Sequence, residues 1–360
     1  MKILYDHQIF SWQKYGGISR YFCELFSHFP KETEIINSTV FTDNVYLKNY
    51  SHKYISLLSS NSFKGKIRTQ TAINKYNSNM LLGKNDYDVF HPTYYNPYFL
   101  DKVKSKPIVL TVHDMTHELY TDLIAQDNTT NEKLSAINRA NKIIAVSQQT
   151  KNDIINVFKI EPEKIDVIYH GINFDKLKNC EANIINKPYI LYVGERLVYK
   201  NFNLLLDAFK VIKDYFPDLL LVCTGKIFTK EEQKTIADKK LSGYIRHISA
   251  NELQLAQLYS NAELFVYPSL SEGFGFPILE AMLYNCPVVL SDIMCFNEVA
   301  GEAGHFFDPY KIDSLIYSLR EVLTNDSVKQ DLANKGLKRV KQFSWTETAQ
   351  KTFDVYKSLI

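Results

Sequence analysis

The sequence is short of cysteine, of long apolar runs and, over one stretch, of acid. Its five cysteines, Cys23, Cys180, Cys223, Cys286 and Cys295, are scattered, odd in number and never spaced as CxxC. That spacing excludes a disulfide framework or a zinc knuckle and suits a reducing cytosol. No run of about 18 apolar residues occurs, so no membrane-spanning segment is expected. The opening "MKILYDHQIFSWQ" loses its apolar run at Asp6 and His7 and does not read as a signal peptide. No Asp-x-Asp motif closes a strand, so no divalent metal is expected. A net charge of +2 gives no reason to expect a nucleic-acid partner.

The missing acid is local. Between Asn44 and Asn85 there is none, against seven bases: Lys48, Lys53, Lys64, Lys66, Arg68, Lys75 and Lys84. Such a stretch is either a solvated face or a surface that meets anionic lipid or an anionic acceptor. Its bases alternate with Tyr54, Leu57, Leu58, Phe63, Ile67 and Ile73, as in an amphipathic basic segment that lies on an anionic membrane surface.

What is present is an ordinary globular composition, 45% hydrophobic and 23% charged, in a chain of 360 residues with room for two domains. Short β-rich runs recur: "KILY", "DVFHP", "PIVLTVHD", "KIIAVS" and "KIDVIYHG", then "PYILYVG", "LLLVCTG", "IRHIS", "ELFVYPS" and "CPVVLSD". The later runs are almost continuously apolar, as in parallel strands covered on both faces. Helical patterns separate them, among them "SQQTKNDIINVF" with Ser147 as its N-cap. The alternation predicts a doubly wound α/β protein. Periodicity lapses in "NFDKLKNCEANIINKP", residues 173–188, which places a first domain at 1–172 and a second at 186–342. Two such domains facing one another leave a cleft at the carboxyl ends of both sheets. The last helix, capped at Ser344 and carrying Trp345, Ala349, Phe353 and Tyr356 on its apolar stripe, is expected to cross back to the first domain as residues 345–360.

The most informative stretch is "YPSLSEGFGFPILEAM", residues 267–282. A strand leads into a turn with two glycines, and Pro277 suits the first position of a helix. Phe276 cannot cap that helix, so its first N–H groups and its dipole favour an anion such as phosphate. Gly273 and Gly275 allow a ligand close to the backbone. Glu272 and Glu280, eight positions apart, flank the turn. Carboxylates accept hydrogen bonds from paired sugar hydroxyls. Two of them around a phosphate pocket point to a nucleotide sugar.

This stretch resembles the E-x7-E signature of the family 4 retaining glycosyltransferases, whose GT-B fold is two facing Rossmann-like domains with a cleft between. Further motifs follow in the family's order: "YGGISRY", "TVHDM", "AVSQQTKNDI", "VIYHGIN", "YVGERLVYKNFNLLLDAF" and "GEAGHFFDP". The resemblance covers nearly the whole chain. It implies an N-terminal acceptor-binding domain and a C-terminal donor-binding domain. It assigns Glu280 to the ribose hydroxyls and Glu272 to a hydroxyl of the donor sugar. The amides of Gly273, Phe274, Gly275 and Phe276 line the sugar, and His113 contacts it. Gly16 and Gly17 let the first loop approach the diphosphate and the acceptor. Arg196 and Lys200 neutralise the diphosphate, a role that the chemistry also requires, because the leaving group gains negative charge as the glycosidic bond breaks.

The implied reaction is transfer of a hexosyl group, with mannose preferred, from a nucleotide-diphosphate sugar to a hydroxyl of a growing glycan or lipid-linked oligosaccharide. The anomeric configuration is retained by a front-face route, and neither a metal nor a cofactor is needed. A bacterial lipopolysaccharide or capsule pathway is the expected setting, with the enzyme cytoplasmic and peripheral on the inner membrane. A glycosidase would also use two carboxylates but leaves Arg196 and Lys200 unexplained. A dehydrogenase lacks its third glycine in "GFGFPI". A nucleotide-sugar epimerase and a non-catalytic sugar-nucleotide-binding subunit are the remaining alternatives, and turnover of a donor separates them.

Overall fold

A computed structural model of the chain describes residues 1–56, 65–123, 127–174 and 184–360. Cys180, Leu57, Leu58, Phe63 and Lys64 lie outside the described residues, as does most of the expected linker. The chain divides into two compact units. One comprises Met1–Thr121, Ala125–Gly171 and Ser344–Ile360, the other Asp122–Ile124 and Ile172–Phe343. Among the described residues no helix is long and apolar enough to cross a membrane.

The first unit contains β1 (Lys2–Tyr5), β2 (Glu34–Asn37), β3 (Val89–His91), β4 (Val109–Val112), β5 (Lys142–Ala145) and β6 (Ile165–Val167). They pair in parallel as β2-β1-β3 and β4-β5-β6. A parallel bridge between Phe90 and Ile108 joins the two sets. Residues Val109 to Val112 are buried throughout, which is why this strand reads as an unbroken apolar run.

The C-terminal helix Trp345–Lys357 belongs to this unit and packs on the helix Gly17–His28. Trp345, Ala349, Phe353 and Tyr356 are all buried, as their spacing predicts. The Tyr356 hydroxyl meets the Tyr5 hydroxyl at 2.6 Å and His91 Nδ1 at 2.6 Å. The helix passes so close to Gly171 that a Cβ there would stand 2.1 Å from the Trp345 nitrogen. Ser344 starts the helix but makes no side-chain cap, unlike Ser147, whose Oγ accepts from Thr150 N at 3.0 Å.

Among the described residues the acid-free stretch does not show the amphipathic pattern expected of it. The helix Lys66–Lys84 buries Gln70, Asn74 and Ser78 along with Leu82, so its inner face is mainly polar. Asn74 accepts from the backbone N–H groups of Val40 and Phe41 at 2.9 and 3.0 Å and donates to Phe41 O and Ser11 Oγ. The loop's backbone claims that face, and Tyr76, Met80 and Ile67 are left exposed among Arg68, Lys75 and Lys84. Tyr54 is buried and does not contribute to the exposed surface.

The second unit contains β7 (Tyr189–Tyr192), β8 (Leu220–Cys223), β9 (Ile245–His247), β10 (Leu264–Tyr267), β11 (Val288–Ser291) and β12 (Gly304–Phe307). All pair in parallel, in the order β12-β11-β10-β7-β8-β9. Successive strands run outward from the centre in both directions, so the order reverses between β7 and β10. In open α/β sheets a ligand sits outside the carboxyl ends of the strands at such a reversal. The core under this point is apolar, with Ile190, Tyr192, Leu221, Val266, Leu205 and Phe209 among its members.

Candidate donor site

Two loops leave the sheet at the reversal. After β7 the chain passes Gly194, whose φ of 135° suits glycine, and closes a tight turn at Val198–Lys200 before the helix Phe202–Tyr215. After β10 it passes Ser269 and Glu272 to Gly275. The Leu270 N–H donates to the Tyr199 carbonyl at 2.8 Å, so the two loops are fastened to each other.

Lys200 and Glu272 meet here. The Lys200 ammonium donates to Glu272 Oε1, and Ser269 Oγ donates to the same oxygen at 2.7 Å. The Tyr267 hydroxyl lies 3.4 Å from Lys200 Nζ, and the ammonium also stands over the rings of Tyr199 and Tyr267, 5.1 and 5.5 Å from their centroids. Both charged side chains are 13% exposed. A cation and a carboxylate thus share one largely dry place beyond the sheet, fixed by hydroxyls and rings that sequence reasoning did not single out.

Gly275 follows with φ 104°, and the helix Phe276–Leu283 begins one residue earlier than Pro277 would suggest. Gly275, at its N-cap position, has no side chain with which to cap the first turn. A Cβ at position 275 would press on Ile278 Cδ1 at 3.0 Å and on Phe296 at 3.2 Å, so glycine answers both backbone and space. Behind the turn, Cys295 Sγ lies 3.1 Å from the Phe274 carbonyl. Glu280 lies inside the helix, where its Oε2 accepts from the Tyr259 hydroxyl at 3.3 Å.

Arg196 does not stand free. Its side chain is only 3% exposed. Nε donates to Glu232 Oε1 at 2.6 Å and Nη2 approaches Glu232 Oε2 at 3.5 Å. Nη1 reaches the Thr224 carbonyl at 3.4 Å, and Nη2 the Lys226 carbonyl. The guanidinium lies 4.6 Å from the Phe228 ring centroid. Arg196 is thus packed within its own unit. The physical reason is that the loops after β7 and β8 run side by side. A Cβ on Gly225 would stand 2.4 Å from Gly194 O, and Arg196 crosses from one loop to the other.

Glu232 was missed, although its signal was available. "TKEE" at 229–232 is a capping box: the Thr229 side chain accepts from Glu232 N, and Glu232 Oε2 accepts from Thr229 N at 2.6 Å. Burial alone would raise the Glu232 carboxyl, but the bonds from Arg196 and Thr229 hold it below its ordinary value.

The remaining candidates belong to the first unit. His113 follows β4, and its backbone N–H donates to the Tyr95 hydroxyl at 2.9 Å. Its ring stacks beside His170, with centroids 6.2 Å apart, and lies edge-on to Tyr21. Burial lowers its pKa to about 4, so it is neutral at physiological pH. Gly16 precedes the helix Gly17–His28, where Gln13 Oε1 accepts from Ser19 N at 3.2 Å. A Cβ at position 16 would fall 2.2 Å from that oxygen.

Two family models match the chain in succession. One, described as Glycosyltransferase Family 4, matches residues 15–176; the other, Glycosyl transferases group 1, matches residues 174–339. The chain belongs to the family 4 glycosyltransferases. This glycosyltransferase is 28% identical to O-antigen chain mannosyltransferase B of Escherichia coli over 76% of its own length and 75% of that protein's. It is 32% identical to O-antigen chain mannosyltransferase RfbU of Salmonella typhimurium over 56% of each chain. Its structure resembles that of Anabaena HepE, solved in complex with UDP-glucose, with a TM-score of 0.79, 18% identity and full coverage of both chains. The architecture of the glycosyltransferase is GT-B.

Proposed function

We propose that this glycosyltransferase moves a hexosyl group, with mannose preferred, from a nucleoside-diphosphate sugar to a hydroxyl of a surface glycan under assembly. The observation that carries this reading is the Lys200–Glu272 pair at the strand-order reversal, next to a helix start led by glycine. The helix start and Lys200 suit the diphosphate, Glu272 a sugar hydroxyl, and Glu280 the ribose. The relatives' names support mannose and an O-antigen chain, and the HepE complex supports a nucleotide sugar. As the bond to the anomeric carbon breaks, the departing phosphate oxygen gains charge that Lys200 stabilises more than it does the bound donor. The same oxygen takes the acceptor's proton on the face it leaves, so configuration is retained and no metal is needed.

The test is a panel of GDP- and UDP-sugars with a glycan acceptor, read by NMR of the product's anomeric proton, with and without EDTA. An α-linked hexoside formed from an α-donor in EDTA is expected. Donor binding without turnover on any acceptor would make the chain a sugar-nucleotide-binding subunit instead. We further propose that the exposed bases Arg68, Lys75 and Lys84, with Tyr76 and Met80, meet an anionic membrane surface carrying a lipid-linked acceptor. Co-sedimentation with phosphatidylserine vesicles at low salt, lost at high salt, checks it.

A further inference from the structure

Both cations expected at the diphosphate carry an internal carboxylate, but the two carboxylates differ in kind. Glu272 lies in the stretch read as donor-binding. Glu232 stands in the first turn of the helix Lys230–Asp238, which follows β8, and has no part in that reading. Its bonds, together with those to Thr224 O and Lys226 O, occupy four of the five guanidinium N–H groups of Arg196. One N–H, on Nη1, is left for any ligand. The carboxylate neutralises the charge that a diphosphate would seek, and with Arg196 nearly buried the two anions cannot both have full use of it.

We propose that Glu232 is an affinity-determining residue of the donor site, an internal counter-ion that competes with the nucleoside diphosphate for Arg196. It acts through Arg196 and does not touch the substrate. The inference rests on the donor-site reading above. Its value to a transferase lies in the end of the cycle. The released nucleoside diphosphate carries more negative charge than the donor did, and a cation with its own partner to return to lets that product leave.

Glu232→Gln separates charge from geometry. Glutamine is an accepted third residue of a capping box and keeps one oxygen for the Thr229 N–H, while the second acceptor that Arg196 uses is lost, so the helix Lys230–Asp238 should persist. Removing one negative charge beside the phosphate site should tighten UDP or GDP binding by about tenfold in Kd, on Coulombic grounds in a partly exposed site. Uridine or guanosine, which lack phosphate, should bind as before. Glu231→Gln, the exposed neighbour, makes the same change in net charge and should leave all of these unaltered. Calorimetry on the full chain, with melting temperatures as the check on folding, provides the readout. Unchanged or weaker diphosphate binding in a normally folded Glu232→Gln protein would overturn the proposal and make Glu232 a brace for the loop. A wild-type protein that binds neither UDP nor GDP would overturn the donor-site reading itself.

Discussion

Replacing Lys200 and Glu272 singly and together tests whether the pair divides the donor as its geometry implies. In the free protein the ammonium and the carboxylate are in direct contact and mostly shielded from water. Unit charges about 4 Å apart at an effective dielectric of about 20 interact by roughly 4 kcal/mol before desolvation is subtracted. A diphosphate arriving at Lys200 meets the attraction of the ammonium and the repulsion of Glu272. Lys200→Met removes the first and unmasks the second. One charge-assisted contact contributes about 2–3 kcal/mol, so binding of the preferred nucleoside diphosphate should weaken roughly 30- to 150-fold. Glu272→Gln should instead tighten that binding by roughly three- to tenfold, while transfer falls about 100-fold or more, because its partner is the sugar. In the double variant the diphosphate no longer faces a bare carboxylate, so binding should recover from the Lys200→Met level by roughly 30-fold or more, beyond the roughly three- to tenfold that Glu272→Gln gives alone; a recovery equal to that single effect is what two independent sites would show. Titration calorimetry with the nucleoside diphosphate and initial rates of transfer supply the numbers. If Glu272→Gln weakens nucleotide binding as much as Lys200→Met does, the carboxylate serves the nucleotide and the division is wrong.

Two further outcomes follow from other parts of the molecule. Glu280→Ala should weaken binding of a nucleoside diphosphate by about tenfold or more and should matter far less for inorganic diphosphate, which has no ribose; equal losses for both ligands in calorimetry would remove Glu280 from the ribose. The first unit should lose stability in acid. Burial lowers His113 to about 4 and His91 to about 3, both below the ordinary 6.5, so both are neutral when folded and take up protons on unfolding. Their contribution is complete above pH 6.5 and disappears as pH falls toward 4, by about 3 kcal/mol for His113 at ~1.4 kcal/mol per pKa unit. Denaturant melts from pH 7.5 to 4.5 should show the decline setting in below pH 6.5, and His113→Gln should flatten it.

Much of this protein was legible from residue order. Apolar runs such as "PYILYVG" and "LLLVCTG" gave parallel strands because a strand covered on both faces has no need of polar alternation. The stripe Trp345, Ala349, Phe353 and Tyr356 gave a buried last helix because helical spacing alone places those residues on one face. The glycine-led helix start was readable because the backbone sterics that favour glycine there are a local property. Partnership was not readable. Lys200 and Glu272 are 72 positions apart in sequence and Arg196 and Glu232 are 36, and each pair forms only because neighbouring strands of one sheet end side by side. The same holds for the helix Lys66–Lys84. Counting bases and apolar residues there predicted an amphipathic surface, but Asn74 faces inward because the backbone of residues 40 and 41 needs its oxygen and its amide. Local sequence settled where most strands and helices lie, since those obey nearest-neighbour rules, but it passed over β2 and β12, most of whose residues are only partly buried. Which charge holds which was decided by the fold, since it depends on strand order and on the water that packing removes.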